Sequence, residues 1–252
     1  MLRIGIIGSG YIAGVVAGAT KETPKAIISA VSSRVKSKAE EFAKSYGIEN
    51  VFDHWQDMIQ SNKIDAVYVA TPTHVREEIC IAAAHAGKHV FAEKPFYSHQ
   101  SLMNIINAAR ENNVAFMDAT HFTHNPRTEH IKKYMKDEIG ALKLIRSTFY
   151  YPCDDKNNIR FDPTKEPLGS VGDLAWYNMR AIVEFFNTDT EIAKITAFSE
   201  KDKETGIIIR ASGAMIFEDG KMSNFDFGFD AGVMTMDLDL LGSGGLIRMD
   251  DF

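Results

Sequence analysis

Apolar residues follow two different rhythms along this chain, and the change falls near Asn125. Over roughly the first 120 residues, short apolar runs near Arg3 to Ile7, Ala26 to Val31, Asp65 to Ala70, His89 to Ala92 and Ala115 to Met117 predict strands. Between them apolar positions recur at helical spacing. Val35, Ala39, Phe42, Ala43 and Tyr46 share one face, as do Val75, Ile79, Ala82, Ala83 and Ala86, and then Leu102, Ile105, Ile106 and Ala109. Mostly apolar strands that alternate with helices imply a doubly wound parallel sheet covered on both sides. The ligands of such a sheet sit beyond the carboxyl ends of its strands, where Gly8, Thr71, Pro72 and Lys94 fall.

After Asn125-Pro126 the pattern changes. Asn125 is a helix cap and Pro126 a first-turn residue, predicting a helix to about Ile139 that stops at Gly140. A strand near Lys143 to Tyr151, an irregular stretch and a helix from Gly172 to Phe186 follow. Strands at Ile192 to Phe198, Gly206 to Phe217, Lys221 to Phe229, Met234 to Leu241 and Leu246 to Met249 complete the chain, with Asp219-Gly220 a hairpin turn between two of them. The fold class read from the whole is α/β: an amino-terminal Rossmann domain, residues 1–120, and a carboxyl-terminal α+β domain, residues 121–252, with a mostly antiparallel sheet. In the second domain Phe225, Phe227 and Phe229 alternate along one strand and predict a strongly apolar face, to be covered by the Gly172 to Phe186 helix or by a second subunit.

The first predicted strand runs straight into Gly8-Ser9-Gly10-Tyr11-Ile12-Ala13. This is the dinucleotide spacing: Gly8 permits the tight turn, Gly10 lets backbone approach a pyrophosphate, and Ala13 is small enough for the next helix to pack on the strand. At the end of the second strand stand Ser32, Ser33 and Arg34, with Lys36 and Lys38 beyond and no carboxylate before Glu40. An acidic residue there would accept from a ribose 2′-hydroxyl, whereas arginine accommodates a 2′-phosphate. NADP(H) is therefore the expected cofactor and NAD the alternative, with the serine hydroxyls and Arg34 bonding the phosphate.

Composition narrows the function class. The chain has 252 residues, 45% hydrophobic and 25% charged, as in an ordinary globular protein. A formal net charge of -6 without a basic run argues against nucleic acid as a partner. The two cysteines, Cys80 and Cys153, make no metal or redox spacing, and Cys80 reads as a buried helix residue. No apolar run reaches transmembrane length, so no membrane partner and a cytoplasmic location are expected. His121 and His124 lack a cysteine or carboxylate to complete a metal cluster. Arg127 serves either as a hold for a substrate oxygen or as a surface ion pair. Of Phe149, Tyr150, Tyr151, Arg160, Phe161 and Trp176 most read as core, the alternative being an aromatic wall for a sugar face or an aromatic diol.

Glu93-Lys94-Pro95 closes another apolar strand, where a lysine can reach both a dinucleotide and whatever lies against it. Together with Gly8 to Ala13, Ala70-Thr71-Pro72-Thr73-His74 and Ala86-Gly87-Lys88-His89-Val90, it resembles the Gfo/Idh/MocA oxidoreductases over nearly the whole chain. Gly169-Ser170-Val171-Gly172-Asp173 followed by Tyr177 is similar to that family's glycine-rich segment. Phe116-Met117-Asp118 through His124-Asn125-Pro126-Arg127-Thr128 resembles the branch of dimeric dihydrodiol dehydrogenases and glucose-fructose oxidoreductase-like enzymes.

The resemblance implies three catalytic roles: Lys94 orients and polarises, Asp173 positions a hydroxyl, and Tyr177 exchanges the proton. Asp173 and Tyr177 are four apart, so a regular helix would set them one turn from each other. Without the resemblance, the preferred reading of Tyr177 is a half-buried aromatic on a helix that also carries Trp176, Phe185 and Phe186. Tyrosine is a poor base unless a neighbouring ammonium favours the phenolate, and Lys94 is the candidate neighbour. The cofactor set is Gly8, Ser9, Gly10, Tyr11, Ile12, Ser33, Arg34, Lys38, Thr71, Pro72, His74, Glu93 and Lys94.

Members of the family continue through further strands where this chain reaches Phe252, so a shortened second domain is expected. The expected function is an NADP-dependent dehydrogenase acting on a secondary alcohol of a sugar, cyclic polyol or trans-dihydrodiol, as a homodimer. The alternative is a non-catalytic NADP-binding sensor or regulatory protein on the same scaffold.

Overall fold

The computed structural model describes residues 1–186 and 190–252 and divides into two compact units, Met1–Ala119 and Thr120–Phe252. In the first unit six parallel strands run β1 (Leu2–Ile7), β2 (Ala26–Ser32), β3 (Asn50–Phe52), β4 (Ala66–Val69), β5 (His89–Ala92) and β6 (Phe116–Asp118). Their spatial order is β3-β2-β1-β4-β5-β6, the doubly wound arrangement whose topological switch point lies between β1 and β4. All four residues of β4 are buried, which explains why its sequence is continuously apolar rather than alternating.

Helices α1 (Tyr11–Thr20), α2 (Lys36–Tyr46), α3 (Trp55–Gln60), α4 (Thr73–His85) and α5 (His99–Glu111) connect the strands. Ala13 and Ala17 of α1 and Ala39, Phe42 and Ala43 of α2 join Ile6, Val31 and Tyr68 in one core cluster. A side chain at Gly14 would put its Cβ 2.5 Å from the Tyr46 hydroxyl, so glycine there leaves room for the end of the Tyr46 side chain of α2 against α1. Three elements depart from expectation. β3 and α3 lay within a stretch with no strand or helix pattern, and the buried face of α4 is Thr73, Arg76, Ile79, Cys80, Ala83 and Ala84 rather than the face containing Val75, Ala82 and Ala86. Burial of Cys80 pushes its thiol up to about 12, which makes it an inert core residue.

The second unit opens with α6 (Pro126–Ile139), where the Asn125 side chain accepts from Arg127 N and Gly140 takes φ +74° beyond the last turn. Strands β7 (Leu142–Tyr150), β8 (Ile192–Lys201), β9 (Ile208–Phe217), β10 (Met222–Gly228), β11 (Thr235–Gly242) and β12 (Leu246–Met249) form one sheet in the order β12-β11-β7-β10-β9-β8. Its pairings are antiparallel except β7 with β10, which run parallel because strands distant in sequence meet at the sheet centre. Gly220 at φ +82° closes the β9–β10 hairpin.

The predicted Gly172 to Phe186 helix is instead a π-helical turn, Val171–Ala175, that leads into α7 (Trp176–Phe186). Asn178 in α7 is fully buried, and its Nδ2 donates to Ser147 O at 3.0 Å and Ser147 Oγ at 2.8 Å, pinning the helix to β7. Phe225, Phe227 and Phe229 are buried in the same cluster as Phe161, Phe185 and Phe186, so their apolar face is covered within the unit. β8 is one of the two edge strands, with β12 at the other edge, and is exposed along its whole length. Among the described residues no helix is long and apolar enough to cross a membrane.

Candidate active site

In the first unit the candidate residues gather where four neighbouring strands, β2, β1, β4 and β5, end. Gly8 follows β1 at φ +112°, with its N–H donating to Ser32 O at 2.8 Å. A Cβ there would sit 2.5 Å from the Ala70 carbonyl oxygen, so β1 and β4 come together only over a glycine. Gly10, by contrast, has φ -82°, and among the described residues a Cβ would meet nothing within 4 Å. Gly10 is also the N-cap of α1, and among the described residues no side chain caps that helix. Its first N–H groups are left to face an outside acceptor. Tyr11 is 89% exposed and Ile12 is partly exposed beside them.

At the end of β2, Ser9 Oγ and Ser33 Oγ lie 3.0 Å apart, and Arg34 and Lys38 are exposed. Lys36 behaves differently from the rest of that basic group. Its Nζ lies 2.9 Å from Asp53 Oδ1, an acidic partner from just past β3, and the carboxylate raises the ammonium's pKa.

Thr71 and Pro72 follow β4, with Pro72 at the N-cap of α4 and His74 exposed on its first turn. Thr71 Oγ1 is buried and makes no hydrogen bond among the described residues. A buried hydroxyl of this kind calls for a partner. With the open space at Gly10 and the uncapped α1, it makes these residues a good fit for a dinucleotide.

Glu93 follows β5 and is buried, accepting from the Tyr68 hydroxyl at 2.6 Å. Burial raises the pKa of this carboxyl, opposed by the Tyr68 bond and by the charges of Lys94 and Arg76. Lys94 itself is half-buried and is joined to Pro95 by a cis peptide. Arg76 and Tyr68 are the residues that the sequence reading passed over. The available signal was a charged side chain at the i, i+3, i+4 spacing of Arg76, Ile79, Cys80 and Ala83.

In the second unit Asp173 lies in the π turn and Tyr177 is the second residue of α7. The turn is docked by Gly169, at φ +52° against the Ile208 carbonyl, and by Ser170 Oγ, which donates to Ile208 O at 2.8 Å. Arg160 Nε donates to Asp173 Oδ2 at 2.5 Å, a charge-assisted bond that orients the carboxylate. Asn158 in turn caps the short helical turn that carries Arg160, accepting from its N–H at 3.1 Å. Arg160 thus serves Asp173, beyond the aromatic-wall role read from sequence, while its guanidinium lies 5.4 Å from the Tyr151 ring centroid.

Tyr177 is buried among aromatic rings: His121 at 5.1 Å, Phe149 edge-on at 5.1 Å and Phe122 at 6.3 Å between centroids. Trp176 Nε1 donates to Thr120 Oγ1 at 2.7 Å, while Phe149 and Phe161 are core. Arg127 pairs with Asp251, through its carboxylate at 2.5 Å and its carbonyl at 2.8 Å, so the ion pair is the alternative realised here. Arg160 and Asp173 together offer a fixed charged acceptor, and Tyr177 offers a phenol on an aromatic shelf.

Two family models match the chain: the oxidoreductase family, NAD-binding Rossmann fold, over residues 2–120, and the GFO/IDH/MocA C-terminal domain over residues 129–248. Among curated relatives, levoglucosan dehydrogenase from Pseudarthrobacter phenanthrenivorans is 32% identical over 54% of this chain and 37% of its own length. D-xylose 1-dehydrogenase (NADP(+)) 2 from Haloferax volcanii is 26% identical over 76% of this chain and 58% of its own. The chain therefore spans between about a third and three fifths of the length of these two relatives. A solved 3-ketoreductase from Actinomadura kijaniata, in complex with NADP and TDP-benzene, superposes with a TM-score of 0.89 at 25% identity, covering 99% of this chain and 76% of that one.

Proposed function

The chain belongs to the Gfo/Idh/MocA oxidoreductases, and from that premise we propose that it transfers a hydride between NADP(H) and a secondary alcohol or ketone of a sugar or cyclic polyol. The observation that carries this reading is the gathering of an uncapped helix start, an unpartnered Thr71 hydroxyl and Lys94 at neighbouring strand ends of the first unit. A bound nicotinamide would supply the hydride donor or acceptor. Ser9, Ser33 and Arg34 would hold the 2′-phosphate, with Gly8, Gly10, Tyr11 and Ile12 along the pyrophosphate and Lys38, Pro72, His74 and Glu93 bordering the same crevice.

Lys94 donates from its ammonium to the reacting oxygen and polarises it. Tyr177 takes the hydroxyl proton in the oxidative direction and returns it in the reductive one. Asp173, held by Arg160, accepts from an adjacent hydroxyl and selects substrates that carry one. Sugars and cyclic polyols meet that requirement, and trans-dihydrodiols do as well. A homodimer formed through the sheet of the second unit completes the proposal, with exposed β8 beside the paired surface.

The test is a screen of aldoses, inositols and a trans-dihydrodiol by nicotinamide absorbance, with NADP and NAD, on wild type and Arg34→Ala. Wild type should turn over with preference for NADP. Arg34→Ala should lose about tenfold or more of that preference, the value of one charged hydrogen bond. Tight NADP binding without turnover of any substrate would overturn the proposal in favour of a non-catalytic NADP-binding protein.

A further inference from the structure

We propose that Arg76 is a positioning residue that fixes the backbone carrying Lys94, an inference that rests on Lys94 acting in the hydride transfer proposed above. Arg76 is the fourth residue of α4 and is 4% exposed. Its Nη1 donates to the Pro95 carbonyl and its Nη2 to the Thr71 carbonyl, with Thr73 Oγ1 also within reach of Nη1 at 3.3 Å. The ladder between β4 and β5 ends with Val69 opposite Ala92, followed by Glu93 N donating to Val69 O at 3.0 Å. Beyond that point the guanidinium takes over. It links the residue that follows Lys94 to the threonine proposed to border the cofactor.

Only a planar guanidinium presents several donors in fixed, divergent directions; an ammonium on a flexible stem does not. Stability alone gives no reason for this choice, since an apolar side chain of similar volume generally serves a core as well or better than a buried charge. The rest of the face is an ordinary core surface of Ile79, Cys80, Ala83 and Ala84. The costly buried cation therefore stands where α4 meets the turns carrying Thr71 and Lys94. Glu93 feels both Arg76 and Lys94, so the three charges form one local set. Loss of the clamp would let the Lys94 segment drift, and a misplacement of about 1 Å costs roughly a hundredfold in rate.

Periodate-cleaved NADP provides a probe, because its 2′-phosphate protects the adenosine ribose and leaves the dialdehyde on the nicotinamide ribose alone. An amine beside that ribose condenses with it, losing water, and borohydride traps the product. The experiment follows labelling of Lys94 by peptide mass spectrometry in wild type, Arg76→Lys and Arg76→Gln, alongside NADPH affinity, melting temperature, kcat and KM. In Arg76→Lys, labelling and kcat should each fall about tenfold or more while NADPH affinity and KM stay within about threefold.

Labelling and kcat equal to wild type in Arg76→Lys, even with a lowered melting temperature, would overturn the inference. So would absence of label on wild-type Lys94, or loss of folded protein in both variants. A wild type that labels at Lys94 but oxidises nothing would sink the oxidoreductase reading alone, and the labelling ratio would still decide the role of Arg76.

Discussion

Gly8 and Gly10 belong to one motif, yet the structure gives them different reasons for being glycine, and substitution by alanine separates the two. At Gly8 an alanine would have to hold φ +112°, a conformation that costs an L residue about 1–3 kcal/mol. Its Cβ would lie 2.5 Å from Ala70 O, where ordinary contact begins at 3.4 Å, so β1 and β4 would have to part by about 0.9 Å. That movement strains the bond from Ala70 N to Ile7 O, now 2.9 Å, worth about 1 kcal/mol. Gly8→Ala should therefore lose about 2–4 kcal/mol in urea unfolding, a large share of ordinary domain stability, and should bind NADPH poorly. Gly10→Ala meets no atom of the described residues within 4 Å and keeps an ordinary φ, so it should lose only about 1 kcal/mol or less, the cost of alanine at an N-cap. Its methyl occupies the cradle at the start of α1 and displaces the phosphates from charged hydrogen bonds worth about 1.5–3 kcal/mol each. NADPH affinity should fall about 10- to 100-fold. A Gly10→Ala protein that binds NADPH like wild type would show that the pyrophosphate does not lie there, and a Gly8→Ala protein as stable as wild type would refute the steric argument.

Three further outcomes are expected. Tyr177→Phe should lower kcat by about a hundredfold or more while leaving NADPH affinity unchanged, because it removes a proton-transferring group and keeps the ring packed against Phe149 and His121; turnover near wild type would refute the acid/base role. Asp65 is held by the backbone and side chain of Arg3, which lowers its pKa from 3.8 to about 2. The folded-state value is depressed, so its contribution is present above 3.8 and is lost as pH falls toward about 2. With the discount for a side chain 34% exposed, that contribution is about 1 kcal/mol, and the stability gap between wild type and Asp65→Asn should close over that window; a gap independent of pH would refute it. Sedimentation at micromolar concentration should give a dimer, and a stable monomer would remove the proposed assembly.

The fold was legible in this sequence where an element was long enough to show its own period. Apolar β4 and β5 and the capped α6 announce themselves, whereas β3 has three residues and α3 has six, too few to display alternation or a helical face. The π turn was illegible for another reason. Asp173 and Tyr177 keep the same spacing in a regular helix as in the wider turn, and the choice is fixed by contacts of Gly169 and Ser170 with Ile208, far along the chain. The site residues divide in the same way. The glycine turn and Lys94 are local signals, readable from a strand followed by a particular spacing. The partnership of Arg160 with Asp173 depends on the path between them and could not be read from either residue.

Arg76 is the instructive case, because its face was available in the sequence. Val75, Ile79, Ala82, Ala83 and Ala86 and the set Arg76, Ile79, Cys80, Ala83 and Ala84 share two residues and differ by a small rotation about the helix axis. A reading that ranks faces by apolar content alone rejects the second set on account of its arginine. The structure buries that arginine because the Thr71 and Pro95 carbonyls, left beyond the end of the β4–β5 ladder, need donors that no apolar side chain provides. A charge that interrupts an otherwise good core face at the carboxyl end of a parallel strand is therefore a signal of unpaired backbone at the site. On such a helix, the face that includes the charge should be preferred.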